Sequence, residues 1–245
     1  MKALRQYYNL VAMQMNSMRG DNAAIAVVQV ALSLGLVVGM GYLIPNISKA
    51  TAMFLVTGTA TQAFVTTGLV MLPQMLSQSK ADGRLEYFLT LPISREGYLL
   101  ALITMVAVTS FPAVFFTVIF GAWHYDLTFS VNPGFVLVMV LCVLSLAGVG
   151  VAMAMYIRQP AVVNAVTQLI IFYVLFFSPV LLPEGQLPPA LQFTSKLAPP
   201  TYAADGVRAT LTDLPGTNLG KDLVLMSGFA VGSIALSAFA IRKRG

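Results

Sequence analysis

At 245 residues, 58% hydrophobic and only 9% charged, with a mean hydropathy of +0.82, the chain does not read as a water-soluble globular protein, since such proteins carry about 25% charged residues. Its apolar residues fall in blocks long enough to cross a bilayer core about 30 Å thick, which takes roughly 20 helical residues. The formal net charge of +5 fits Lys and Arg on cytoplasmic loops beside anionic lipid, and does not call for a nucleic-acid surface.

Residues 1–20 place apolar side chains at Leu4, Tyr8, Val11, Met15 and Met18, with Arg5, Gln6, Asn9 and Asn16 off that stripe. This spacing predicts an amphipathic interfacial helix with its apolar face towards lipid. It lacks the apolar core and small-residue cleavage site of a secretory signal. Six membrane spans are expected after it, near Ala23–Ile44, Thr51–Leu76, Tyr98–Trp123, Pro133–Tyr156, Ala161–Leu182 and Leu223–Ile241. Pro45-Asn46 closes the first, and Arg158-Gln159-Pro160 tightly links the fourth to the fifth. Pro73 and Pro112 fall within spans, where the missing backbone donor predicts kinks. No formal charge lies well inside any span, which argues against the buried relays of proton-driven carriers and pumps. No polar block is long enough to fold alone, so residues 1–245 are expected to form a single all-α membrane domain.

Between the second and third spans, Ser77–Gly97 holds six of the chain's 23 charged side chains: Lys80, Asp82, Arg84, Glu86, Arg95 and Glu96. Six spans put both termini on one side, together with this segment. That side carries ten Lys and Arg residues against four on the other, which predicts that it is cytoplasmic. Ala81, Leu85, Phe88 and Leu89 fall on one helical face, and Lys80, Arg84 and Tyr87 on another. The pattern predicts a short amphipathic helix parallel to the membrane and stopped by Pro92. Such a helix either docks on a soluble partner or is a solvated tether.

Uncharged polar residues form two further stripes. Thr59, Gln62 and Thr66 share a face of the second span, and Asn164, Thr167 and Gln168 share a face of the fifth. They are candidates to line a substrate path, or to hydrogen-bond neighbouring helices for about 0.6–2 kcal/mol each. The pairs Gly35/Gly39 and Gly228/Gly232 permit close helix approach, and packing within the chain is the expected use. Residues 183–200 carry five prolines and Leu187, Leu191 and Leu197, which fits a surface segment dipping towards lipid or an ordinary external loop. Gly216–Asp222 departs from a phosphate loop at its first and last positions. His124 between Trp123 and Tyr125 suits an interfacial aromatic belt, and lone Cys142 suits a small core hydrophobe. No Ser/His/Asp set, Cys/His cluster or HExxH motif is present, so nothing points to an enzyme.

Gly83-Arg84-Leu85-Glu86, followed by Leu89-Thr90-Leu91-Pro92-Ile93-Ser94, resembles the cytoplasmic loop that precedes the third span in ABC-2 type exporter permeases. Ser178 to Pro183, Leu187-Pro188, Leu197 to Tyr202 and Asp205 to Arg208 resemble that family's segment between spans five and six, with Ser178-Pro179 in place of the commoner Ser-Gly step. The resemblance spans the whole six-span layout. It implies that residues 77–97 form a coupling helix seated on a nucleotide-binding subunit. Arg84, Leu85, Glu86, Phe88 and Leu89 would make the coupling contacts, with Pro92 and Ser94 shaping entry to span three. It also implies that residues 183–221 form a partly re-entrant external hairpin over the substrate route.

The expected function is therefore the transmembrane permease subunit of an ATP-driven exporter in a cell membrane, bacterial or archaeal, moving a drug, lipid or glycan-like substrate outwards. No cofactor is expected in this chain, because ATP and Mg would be bound by a separate ATPase. A second permease subunit, identical or related, would complete the route in contact with membrane lipid, and no nucleic acid is involved. The alternatives are an ATP-independent channel or secondary carrier, and a structural membrane scaffold.

Overall fold

A computed structural model describes residues 2–17, 19–44, 47–90, 95–178, 180–181, 188–195, 198–212 and 218–242, and among them every regular element is helical. Five helical runs are long and apolar enough to cross a membrane: Ala23–Leu43, Lys49–Ala81, Gly97–Tyr125, Gly134–Tyr156 and Leu219–Ser237. The expected fifth span is a shorter apolar helix, Pro160–Phe176. It stops early because Ser178 precedes Pro179, and a residue before proline is pushed out of the helical region. Ser178 accordingly sits at φ −112° and ψ 145°.

The run Lys49–Ala81 is the central post. It comprises α3 (Lys49–Val65), a π-helical turn (Thr66–Met71) and α4 (Leu72–Ala81). Ser48 caps its start by accepting from the Thr51 N–H at 3.2 Å, which satisfies one of the helix's orphan donors. At 1.5 Å per residue its 33 residues reach about 50 Å, well beyond the hydrocarbon core. The π turn lies just before Pro73, which has no N–H for the α-helical ladder. One extra residue is accommodated there, and the Leu72 N–H donates to the Thr67 carbonyl five residues back.

Burial of this threonine-rich post has a local explanation. The hydroxyls of Thr57, Thr59, Thr61 and Thr67 donate to Met53, Leu55, Thr57 and Ala63 carbonyls four residues back, at 2.8, 2.8, 2.9 and 2.5 Å. Each polar group is thereby satisfied inside its own helix, so the helix can be surrounded by neighbours. Thr67 is also hydrogen-bonded to Ser110 at 2.5 Å, which ties the π turn to α6 (Arg95–Tyr125).

Four helices pack around α3: α2 (Arg19–Leu43), α6, α7 (Gly134–Tyr156) and α10 (Pro199–Leu211). The π turn and α4 are flanked by α7 and α8 (Pro160–Phe177), and α11 (Leu219–Arg242) lies along α7. The α7 crossing is close because it has little side chain. A Cβ on Gly150 would collide with the Gly68 carbonyl oxygen. Ser237 Oγ donates to the Gly148 carbonyl at 2.9 Å and joins α11 to α7.

Two expectations change at the periphery. A Cβ added at Gly35, Gly39, Gly228 or Gly232 would meet open space, so these pairs do not pack helices within the chain. They lie on the exposed sides of α2 and α11. The N-terminal helix α1 (Lys2–Ser17) packs along α6. It buries Leu10 together with the polar Gln14 while Tyr8 stays exposed, and its Tyr7 hydroxyl is 2.5 Å from Thr104 Oγ1.

Candidate functional site at the end of the central post

The helix α4 ends in a turn at Asp82-Gly83, and Gly83 takes φ +72°, a conformation suited to glycine. The next helix, α5 (Arg84–Thr90), is clipped back onto that turn. Asp82 accepts from Gln78 Nε2 at 2.9 Å and from Arg84 Nη2 at 2.8 Å. The Arg84 guanidinium holds the Asp82 carboxyl below the usual carboxylate range. Leu85 is buried, and Phe88 is half-buried and stacked on Tyr98 with ring centroids 5.2 Å apart. Arg84, Glu86 and Tyr87 are exposed, Tyr87 at 64%. The short helix is thus fastened by its apolar side and presents a charged side outwards.

The amphipathic face predicted from the sequence is divided by the Gly83 turn. Ala81 is exposed instead of joining Leu85 and Phe88. Lys80 does not share the outer face of Arg84 and Tyr87 but reaches α7, where its Nζ donates to the Ala154 carbonyl at 2.6 Å and the Ile157 carbonyl at 3.1 Å. Leu89 belongs to α5, but its side chain, and all of Pro92 and Ser94, lie outside the described structure.

The two polar stripes behave differently. Thr59 and Gln62 are buried and Thr66 is half-buried, with the Thr59 hydroxyl engaged by Leu55. On α8, Thr167 faces inwards and accepts from Gln74 Nε2 of α4 at 2.7 Å. Asn164, one turn before Thr167, and Gln168, the residue just after it, are exposed on the outer face of α8. None of these six residues lines the apolar cavity of about 230 Å³ between α3, α6 and α7, whose walls include Phe64, Ile103, Phe111, Val136, Met139 and Val143.

The bundle thus combines helices long and apolar enough to cross a membrane with a fastened short helix whose charged side is exposed. Residues 5–212 match the sequence model for the ABC-2 type transporter. The chain belongs to the ABC-2 type transporter family. It is therefore a multi-pass membrane protein and a permease component of ABC-type transport, and ABC-2 permease domains generally work with an ATP-binding subunit. A comparison with curated protein sequences gave no match.

At the other end of this ABC-2 permease lies a feature that sequence reasoning missed. Arg208, one of the four Lys and Arg residues expected on the side opposite the termini, is only 2% exposed within α10. It donates from Nη1 to Asp205 Oδ1 at 2.9 Å and from Nη2 to the Val180 carbonyl, and its guanidinium carbon stands 3.5 Å from the Phe54 ring centroid. Gly58 makes room, because a Cβ there would strike the Val180 carbonyl. The signal available in the sequence was Pro199-Pro200 opening a helix, then Ala203, Val207 and Leu211 at helical spacing, with Asp205 three residues before Arg208. Among the described residues no group of three His, Cys, Asp or Glu side chains could hold a metal ion.

Proposed function

We propose that this permease is the transmembrane subunit of an ATP-driven exporter whose separate ATPase docks on α5. The observation that carries the reading is the two-sided character of α5. Leu85 and Phe88 are anchored in the bundle, while Arg84, Glu86 and Tyr87 stand exposed beside the end of the central post. A helix fastened in this way can transmit force, whereas a solvated tether has no such anchor. ATP and Mg would be held by the partner, with none bound in this chain.

In this reading α8 is the fifth of six spans, both termini and α5 face the cytoplasm of a cell membrane, and residues 1–245 act as one transmembrane domain. Residues 183–221 are the external hairpin of this reading; 183–187, 196–197 and 213–217 lie outside the described residues, which here include α9 (Pro189–Ser195) and α10. Exposed amides on a membrane helix are costly against hydrocarbon. Asn164 and Gln168 therefore favour a second permease subunit, identical or related, across a polar route for a drug, lipid or glycan-like substrate. Thr59, Gln62 and Thr66 would join that route if the central post turned. The test is affinity purification of the intact chain from native membranes. A P-loop ATPase should copurify, and pairing Arg84→Glu with Glu86→Arg should release it. Full retention of the ATPase by that variant, or its absence from the unaltered complex, would refute the proposal.

A further inference from the structure

We infer that Lys80 is a positioning residue that carries a displacement of α5 into the α7–α8 end of the bundle. The inference rests on the coupling role proposed for α5. Its basis is a set of contacts that no sequence motif announced.

At the end of α7, Ile157 leaves the helix at φ −80° and ψ 128°, and its N–H donates to Met153. The last carbonyls of a helix lack partners and carry the negative end of its dipole. The Lys80 ammonium, with three donors, sits over them, 2.6 Å from the Ala154 oxygen, 3.1 Å from Ile157 and 3.5 Å from Met155. The same helix is tied a second time where Gln74 Nε2 donates to Thr167 Oγ1 of α8 at 2.7 Å. The two ties are six residues apart on α4, which is unbroken from Leu72 to Ala81, so they move together.

The other end of this strut is α5. Asp82 is bonded to both Gln78 in the last turn of α4 and Arg84 in the first turn of α5, so a load on α5 reaches Lys80 through one short turn. From Lys80 it passes to the α7–α8 link, and from Gln74 to the stretch of α8 that displays Asn164 and Gln168. A lysine that served only to cap α7 would add stability to that end without transmitting motion.

The test uses the full chain assembled with its ATPase in nanodiscs. Spin labels are placed through Gln159→Cys, on the α7–α8 link, and Tyr42→Cys, at the far end of α2. Both sites are exposed, whereas the native Cys142 is buried. In the Lys80 background, ATP with vanadate should shift the distance between the labels. Lys80→Met should abolish that shift while ATPase copurification stays unchanged, and Lys80→Arg, which still reaches the carbonyls with a cation, should restore it. An undiminished shift in Lys80→Met would overturn the role of Lys80 and leave the coupling function of α5 standing. Failure of the Lys80 protein to retain any ATPase would instead overturn the function, and this role with it. If Lys80→Met does not assemble, Lys80→Gln, which keeps a donor but no charge, is judged by the same shift.

Discussion

Replacement of Arg208 tests whether α10 is held down by a buried cation. Arg208→Met preserves much of the side-chain volume and removes three interactions. The Val180 carbonyl loses a donor, which costs about 1–3 kcal/mol for a buried acceptor left unsatisfied. The contact with Phe54, with Cζ 3.5 Å from the ring centroid, contributes up to about 2 kcal/mol when desolvated. The Asp205 pair adds little, because Asp205 is 37% exposed and water replaces its lost partner, as for surface pairs worth about 0–1 kcal/mol. Relief of guanidinium desolvation works in the opposite direction. A net loss of about 2–3 kcal/mol is expected, measured by reversible denaturant unfolding in a fixed lipid–detergent mixture and followed through the chain's single Trp123. Arg208→Lys should recover less than half of it, because an ammonium cannot reach Asp205 and Val180 while lying flat on Phe54. Full stability in Arg208→Lys, or a change below about 0.5 kcal/mol in Arg208→Met, the range of neutral surface substitutions, would refute the latch.

Gly150→Val should destabilise the same fold by about 1–3 kcal/mol through overpacking, because its Cβ meets the Gly68 carbonyl. Gly228→Ala and Gly232→Ala, facing open space, should stay within about 0.5 kcal/mol in that assay. Arg84→Glu with Glu86→Arg should lower stability only slightly, since both side chains are exposed and the Asp82–Arg84 contact it breaks is a surface pair, so a complete loss of ATPase on a pull-down would then be an interface effect. The Asp82 carboxyl, held below its ordinary value of 3.8 by Arg84, contributes its stabilisation above that value and loses it only as pH falls through the lower folded value. ATPase retention should therefore be flat in Asp82-dependent terms between about pH 5 and 8, and Asp82→Asn should not alter the slope of retention against pH in that range.

Apolar run lengths were enough to place most spans, because a bilayer demands them whatever the neighbours are. The face of Leu85 and Phe88 was legible for a similar reason: within the one continuous helix α5, spacing separates anchored from exposed side chains. What stayed hidden depends on neighbours. Two GxxxG pairs look alike in sequence whether or not a helix fills their grooves, and here neither packs within the chain, while Gly68 and Gly150 do make a close crossing. In sequence Thr59 suits a route-lining residue or one that bonds a neighbouring helix, and only its contact with the Leu55 carbonyl shows that it satisfies its own helix instead. Arg208 read as one of the cations opposite the termini because nothing local announces that Phe54 and Val180 converge on it. Lys80 shares the face of Arg84 only in a continuous helix, and the turn at Gly83 breaks that continuity.

The π turn has a consequence for direction. Each residue advances a helix by about 100°, so the one additional residue between Thr66 and Met71 sets everything below it about that far out of phase with α3. The Gln74 and Lys80 side chains meet Thr167 and the Ala154 carbonyl only at this offset. Deleting a single residue there would swing both away from their acceptors while leaving the apolar character of the helix intact, so the compass bearing of the lower half is written in a count of residues and not in their chemistry.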